Sequence, residues 1–384
     1  MTEPCLPLVT VVTPSYNQAE FLRATIESVL GQDYPRIEYL VMDGGSTDGS
    51  AEIASEYGGR LTFVSEPDRG QSHAINKGFQ RAQGEIVAWI NSDDVLLPGA
   101  VSAAVRAFAE SPGVGAVYGE GYCIDRAGQV TGRFPATEPF NLWRLTWVCD
   151  SILQQSTFFR RSAVAEVGWL REELRWSMDW DLLVRLGRRY GLKYIPEYLG
   201  CLREYAETKT ASGGGIRFLE LWRLLRMQTG RWWGPGCWYY GLDTYDKIWS
   251  GVLRRWGAEW LATRVFHLCR WKIDRVALRA QGYYPGGWVA RRMYWMVPAG
   301  TRRLVVRGEA AESVGAPAEQ RIEASVGISV IGAVVVRRGE FEWVMEVPEG
   351  LADEAVTIVF TAGWSVKGPT GLRVSWRLLG IETS

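Results

Sequence analysis

Histidine is scarce in this 384-residue chain: His73 and His267 are the whole complement, which excludes a metal centre built on imidazoles. We read His73 as structural. Cysteine is nearly as thin, and the six (Cys5, Cys123, Cys149, Cys201, Cys237 and Cys269) lie far apart without paired spacing. Neither a zinc site nor a disulfide framework is indicated, and a reducing cytoplasm suits them. No uninterrupted apolar run reaches the roughly 20 residues of a membrane-spanning helix. The first seven residues carry Glu3, Pro4 and Pro7, so no secretory signal is expected there. Net charge is absent as well, since 43 basic residues face 43 acidic ones. With 47% hydrophobic residues, this describes an ordinary soluble protein long enough to divide into domains.

What is present begins with alternation. Leu8 to Val12 is a near-continuous apolar run, expected of a strand buried on both faces. A helix follows, with Asn17 as its expected cap and Phe21, Leu22, Thr25, Ile26, Val29 and Leu30 at helical spacing before Gly31. Strands are then predicted over Ile37–Met42, Leu61–Val64 and Ile86–Ile90, and helices over Ser50–Tyr57, Gln71–Gln83 and Pro98–Phe108. Strand–helix repetition of this kind predicts an α/β fold with a doubly wound, mostly parallel sheet, whose ligands bind beyond the carboxyl ends of the strands. The polar clusters after the first four strands should therefore meet in one crevice.

The most informative of those clusters is Asn91-Ser92-Asp93-Asp94, which ends the apolar run Ile86–Ile90. Carboxylates at a strand tip aim a hard divalent cation at a diphosphate, because such a cation takes one or two protein carboxylates plus phosphate oxygens and water. Two adjacent acids also occur in ordinary turns.

Five segments in order, Val12-Thr13-Pro14-Ser15-Tyr16-Asn17, Met42-Asp43-Gly44-Gly45-Ser46-Thr47-Asp48-Gly49, Glu66-Pro67-Asp68-Arg69-Gly70-Gln71-Ser72, Ala74-Ile75-Asn76-Lys77-Gly78 and Trp89-Ile90-Asn91-Ser92-Asp93-Asp94, resemble the family-2 glycosyltransferases of GT-A fold. Gln154 to Arg160 and Met178-Asp179-Trp180-Asp181-Leu182 extend the resemblance, which covers roughly Leu6 to Glu204.

The resemblance implies an inverting, metal-dependent transfer of a sugar from a nucleotide donor to a hydroxyl of a saccharide or lipid-linked saccharide, in cell-surface polysaccharide or glycoconjugate synthesis. Thr13, Tyr16, Asn17 and Asp43 would hold the base, and a carboxylate accepting from a base imide favours UDP. Asp68, Arg69, Asn76 and Lys77 would lie near the nucleotide, with Arg69 and Lys77 equally readable as solvated charges. The family's usual Asp-X-Asp begins here with Asn91, which keeps an acceptor oxygen and loses a charge. Asn91 and Ser92 are then expected at the sugar or ribose, with Mn2+ or Mg2+ on Asp93, alone or with Asp94. Asp179 is the expected general base, although Met178 replaces the acid that usually precedes it. Gln155, Trp180 and Asp181 are the expected acceptor-side residues. Asn91 and Met178 together also keep open a non-catalytic nucleotide or sugar binder on the same fold.

Beyond residue 213 the composition shifts. From Ile216 to Arg307 there are 17 Lys/Arg against 5 Asp/Glu, and 10 of the 19 tryptophans. This basic region reads three ways: a peripheral contact with anionic lipid at the inner face of the membrane, helices such as Phe218–Met227 and Ile248–Trp260 packing their tryptophans inward, or a seat for an anionic glycan. No nucleic-acid motif accompanies the charge. After Arg302, alternation takes over in Phe341, Trp343, Met345 and Val347, in Val356, Ile358 and Phe360, and in Leu372, Val374, Trp376 and Leu378. A small antiparallel β-sandwich is expected, resembling the accessory domains similar to carbohydrate-binding modules. The expected division is a transferase domain over 1–213, a helical basic region over 214–300 and the sandwich over 301–384.

Overall fold

The computed structural model describes residues 6–205, 207–209, 213–254, 281–284, 287–310, 319–327, 329–351, 353–367 and 373–383. Two compact units divide it, one of residues 6–140 and 150–220, the other of 141–149 and 221 onward.

The first unit follows the predicted alternation. Its elements run β1 (Val9–Ser15), α1 (Ala19–Leu30), β2 (Ile37–Asp43), α2 (Ser50–Ser55), β3 (Thr62–Ser65), α3 (Gln71–Arg81), β4 (Ile86–Trp89), β5 (Val95–Leu96), α4 (Ala100–Glu110), β6 (Ala116–Ile124) and β7 (Val130–Arg133). After α5 (Leu142–Trp147), which falls in the second unit, come β8 (Thr157–Arg160), α6 (Arg161–Val167), α7 (Met178–Arg189) and β9 (Leu192–Arg203). The nine strands form one sheet in the order β3-β2-β1-β4-β8-β6-β9-β5, with β7 on β6. Its first half is parallel, with Val12 opposite both Leu40 and Trp89. β8 enters antiparallel to β4 and β6, and β5 antiparallel to β9, so the sheet as a whole is mixed.

Register decides where the polar loops go. Ser15 lies opposite Asp43, and Asp43 opposite Ser65, so β1, β2 and β3 end level with one another. The loops after these strands and after β4 therefore open on one edge of the sheet, where open α/β sheets form their ligand crevice. Apolar strands buried on both faces hold that edge: Val9, Val11 and Val12 of β1 are fully buried. Helix α3 lies flush on β1, since a Cβ on Gly78 would stand 2.4 Å from Val12. Trp89 stacks on Phe159 at 5.2 Å with Phe79 against its edge, aromatic pairings worth about 0.5–1.5 kcal/mol each beyond their burial.

In the second unit, α8 (Gly214–Thr229), which begins in the first unit, and α9 (Pro235–Arg254) precede the strands. The expected helix Ile248–Trp260 is present as far as Arg254, and residues 255–260 lie outside the described residues, as does the rest of the basic stretch to 280. The strands are β10 (Trp288–Val289), β11 (Arg292–Val297), β12 (Arg303–Ala310), β13 (Glu319–Val326), β14 (Ser329–Arg337), β15 (Gly339–Glu346), β16 (Val356–Ala362), β17 (Val366–Lys367), β18 (Arg373–Val374) and β19 (Trp376–Thr383). They build two four-stranded sheets, β10-β19-β12-β15 and β11-β16-β13-β14, and a small β17-β18 pair. The alternating residues Trp343, Met345, Val347, Ile358, Phe360, Trp376 and Leu378 line the core the sheets share, which makes the antiparallel β-sandwich. Leu372 lies outside the described residues. β10 and β11 join these sheets ahead of residue 301; too short to show alternation, they read in the sequence as part of the arginine-rich stretch.

Candidate active site

The loops at the edge of the sheet organise themselves first. Asp43 is buried, and its carboxylate accepts from the backbone N–H groups of Gly45 (3.0 Å) and Ser46 (2.9 Å) and from the hydroxyls of Ser46 and Ser65. Three of these bonds fall on Oδ2 and one on Oδ1, so Asp43 shapes the glycine-rich loop chiefly through Oδ2. Thr13 is also turned inward, its hydroxyl paired with that of Tyr39 at 3.0 Å. Asn17 does not cap α1. It sits at φ 51°, donates its N–H to Ser46 and accepts from the Thr47 N–H, while Asp48 accepts from the Ala19 N–H at the start of α1. Tyr16 remains 64% exposed. Its ring and the Asp68 carboxylate flank Gly44 so closely that a Cβ there would meet Asp68 Oδ2 at 2.8 Å and Tyr16 at 3.2 Å.

Four further expected residues have protein partners. Asn76 clamps the backbone of Leu170 with both ends of its amide, at 2.9 and 3.0 Å. Arg69 pairs with Glu172 at 2.6 Å, Lys77 with Glu66 at 3.0 Å, and Ser92 is buried with its carbonyl taken by the Thr25 hydroxyl.

At the tip of β4 the two aspartates separate in role. Asp94 is buried and accepts from the Arg203 N–H (2.8 Å), Gln155 Nε2 (2.7 Å) and Asn91 Nδ2 (2.9 Å). Burial, and then the charge of Asp93, push its carboxyl up to about 7. Three protein donors thus occupy the carboxylate that the resemblance offers, with Asp93, to the metal. Gln155 is spent on the same contact and is buried, so it does not reach a saccharide. Asp93 is half-buried, accepts from the Tyr205 hydroxyl at 2.9 Å, and has its carboxyl raised chiefly by burial. Among the described residues no cluster of three or more Asp, Glu, His or Cys side chains could hold a metal ion. A cation held here would take one protein carboxylate, Asp93, and draw its other oxygens from a diphosphate and water.

The second side of the site comes from the start of α7. Trp180 is buried and cannot present a face to a sugar, and Asp181 is buried between Arg185 (2.8 Å) and Arg171 (3.3 Å). Asp179 is half-buried, and Oδ1 accepts from the Trp180 N–H at 2.8 Å. Burial raises its carboxyl against that N–H and the positive charges of Lys209 and Arg217. Met178 is buried in apolar surroundings, and the second carboxylate beside Asp179 is instead Asp150, held well above the ordinary range by burial and by the charge of Asp179. Glu220, from α8, accepts from the N–H groups of Arg175 (2.8 Å), Trp176 (2.7 Å) and Ser177 (3.0 Å), the residues that lead into α7. Glu220 thereby fixes the turn that leads into the N-cap, Ser177.

A hydrogen-bonded line joins the two sides. Lys209 Nζ donates to Gln71 Oε1 (2.8 Å), Gln71 Nε2 to Asn91 Oδ1 (2.6 Å), and Asn91 Nδ2 to Asp94. Burial brings Lys209 down to about 8, with the Asp179 charge acting in the opposite sense. Asp150, Lys209, Gln71, Tyr205 and Glu220 were not singled out from the sequence. Gln71 alone lay inside a recognised motif, where its position opening α3 was the available signal.

The glycosyl transferase family 2 model matches residues 10–168. An uncharacterized glycosyltransferase of Mycobacterium tuberculosis is 33% identical over 183 residues, spanning 47% of this chain and 68% of the relative. The putative teichuronic acid biosynthesis glycosyltransferase TuaG of Bacillus subtilis is 42% identical over 92 residues, spanning 23% of this chain and 36% of its own length. Among solved structures, residues 1–349 of S. aureus TarS in complex with UDP-GlcNAc share 16% identity at a TM-score of 0.48, covering 58% of this chain and 66% of that one. By the family match and the tuberculosis relative, the chain belongs to glycosyltransferase family 2.

Proposed function

We propose that the chain transfers a sugar, with inversion, from a nucleotide donor to a hydroxyl of a saccharide or lipid-linked saccharide in cell-surface polysaccharide synthesis. The observation that carries this reading is the half-buried Asp179 carboxylate, raised by burial at the mouth of α7 and electrostatically coupled to Lys209, whose hydrogen-bonded line ends at the tip of β4. A raised carboxyl is a stronger base once ionised, and general bases serve best when their pKa nears the working pH. Asp179 takes the proton of the acceptor hydroxyl. The bond from that oxygen to the anomeric carbon forms as the bond to the diphosphate breaks, so configuration inverts. Lys209 supplies positive charge beside the base. Asp93 would hold Mn2+ or Mg2+, which when bound neutralises charge on the diphosphate.

UDP is the donor nucleotide we favour, with the reading of the base moved from Asp43 to Asp68. Its Oδ2 lies beside Gly44 and the exposed Tyr16 ring, where a stacked uracil could donate its imide N–H. Asp68→Ala should weaken UDP binding by about tenfold, the value of one charge-assisted hydrogen bond. The TuaG resemblance supports a surface-polymer acceptor. Four buried free thiols, Cys123, Cys149, Cys201 and Cys237, support a cytoplasmic setting. No helix among the described residues is long and apolar enough to cross a membrane.

The test is thermal unfolding with UDP, GDP, dTDP and CMP, with and without Mn2+, followed by slow hydrolysis of UDP-sugars without acceptor. A nucleotide at a hundredfold its Kd adds roughly 2.7 kcal/mol. Binding without any hydrolysis would leave a non-catalytic binder on this fold.

A further inference from the structure

The second unit carries aromatic residues where a packed helix pair would hide them. Helix α8 buries leucines, Leu221, Leu224 and Leu225, and leaves its tryptophan, Trp222, on the half-exposed side. Gly230, at φ 70°, ends the helix with its N–H on the Arg226 carbonyl and turns the chain back. The turn is fixed by the Trp222 indole N–H donating to the Trp232 carbonyl at 2.8 Å. Trp232, Trp233 and Trp238 are consequently 49%, 65% and 59% exposed. They form one group, with ring centroids of Trp222 and Trp232 5.1 Å apart, Trp222 and Trp233 6.3 Å, and Trp233 and Trp238 5.9 Å. Arg226 lies over the Trp232 ring at 3.3 Å, and Arg231 over Trp147 at 5.6 Å.

Charge selects the occupant. Residues 221–242 contain three arginines and no acid, so the segment that carries these tryptophans is positively charged. Indole rings grouped at a surface with guanidinium groups among them match the boundary between acyl chains and anionic headgroups, which takes the aromatic bodies and neutralises the arginines together.

We propose that the face made by Trp222, Trp232, Trp233 and Trp238 with Arg226 and Arg231 docks the protein on an anionic lipid bilayer. It stands apart from the reading of the transferase site, none of whose residues belongs to the face. The test is co-sedimentation of the full chain with vesicles of phosphatidylcholine alone or mixed with phosphatidylglycerol, at low and high salt. Binding to the anionic vesicles alone, weakened by salt, is expected. Trp233→Ala with Trp238→Ala should lower it by roughly tenfold, as should Arg226→Gln with Arg231→Gln. The circular dichroism spectrum and thermal midpoint, measured on the same preparations, should stay at the parent values and certify that the variants are folded. Equal binding by the parent and both variants, or none to anionic vesicles, overturns the proposal. If soluble polygalacturonate binds through these tryptophans while vesicles do not, the face is a glycan site and the proposal also fails.

Discussion

Glu220 holds Ser177 twice, accepting its backbone N–H at 3.0 Å and its hydroxyl at 2.8 Å on the same carboxylate oxygen. Ser177 is the N-cap residue of α7, two positions before Asp179. Removing the carboxylate strands the N–H groups of Arg175, Trp176 and Ser177 and the Ser177 hydroxyl. Glu220→Ala should cost about 1–3 kcal/mol in thermal unfolding. Because the turn positions Asp179, kcat should fall about tenfold with little change in donor KM. A loss confined to donor KM would show that Glu220 does not act through the base.

Asp179→Asn should leave nucleotide binding intact and lower turnover by at least about a hundredfold, the usual scale of general-base catalysis. Asp150→Asn should be milder and more informative. The Asp179 charge raises Asp150, whereas Asp179 is raised by burial, so Asp150→Asn should leave the acidic limb of the kcat profile in place. A limb moved to lower pH would show that Asp150 carries charge when the base titrates.

Lys209 supplies the opposite limb. Its folded value of about 8 lies below the ordinary 10.5 of a lysine because of burial, so its charge is present at neutral pH and lost as pH rises through about 8. Activity should decline over that range, and Lys209→Met should remove the decline while lowering the plateau by roughly tenfold or more. A pH profile identical in the variant would show that the Lys209 charge does not act in the reaction.

Asp93→Ala should abolish the Mn2+ dependence of the nucleotide thermal shift, whereas Asp94→Asn should keep it, since Asp94 is enclosed by Arg203, Gln155 and Asn91. Loss of metal response in both variants would return Asp94 to the metal.

The strands were legible because burial on both faces writes an apolar run, and the crevice was legible because strand ends and polar loops alternate in the sequence. Burial of the polar residues was not. Thr13, Asp43, Trp180, Asp181 and Gln155 are of types that serve equally in a core or a cleft, and only the partner decides: Tyr39 for Thr13, Arg185 and Arg171 for Asp181. Asp150 and Lys209 escaped notice because long connections bring them to Asp179, and no local spacing records that. Glu220 lies in a helix read for its basic charge. The tryptophans of the second unit showed as composition, while their grouping depends on the turn at Gly230.

Asn91 carries a lesson for anyone who would restore this chain toward its family's commonest wording. Its amide is polarised in both directions, receiving from Gln71 and giving to Asp94. An aspartate there would set one anion 2.9 Å from another that is already buried. Asn91→Asp should therefore destabilise the fold above neutral pH, where Asp94 ionises, and be tolerated below it; unfolding midpoints at pH 5 and 8.5, roughly bracketing that transition, would show it. Reversion by consensus would here repair a word and break the sentence around it.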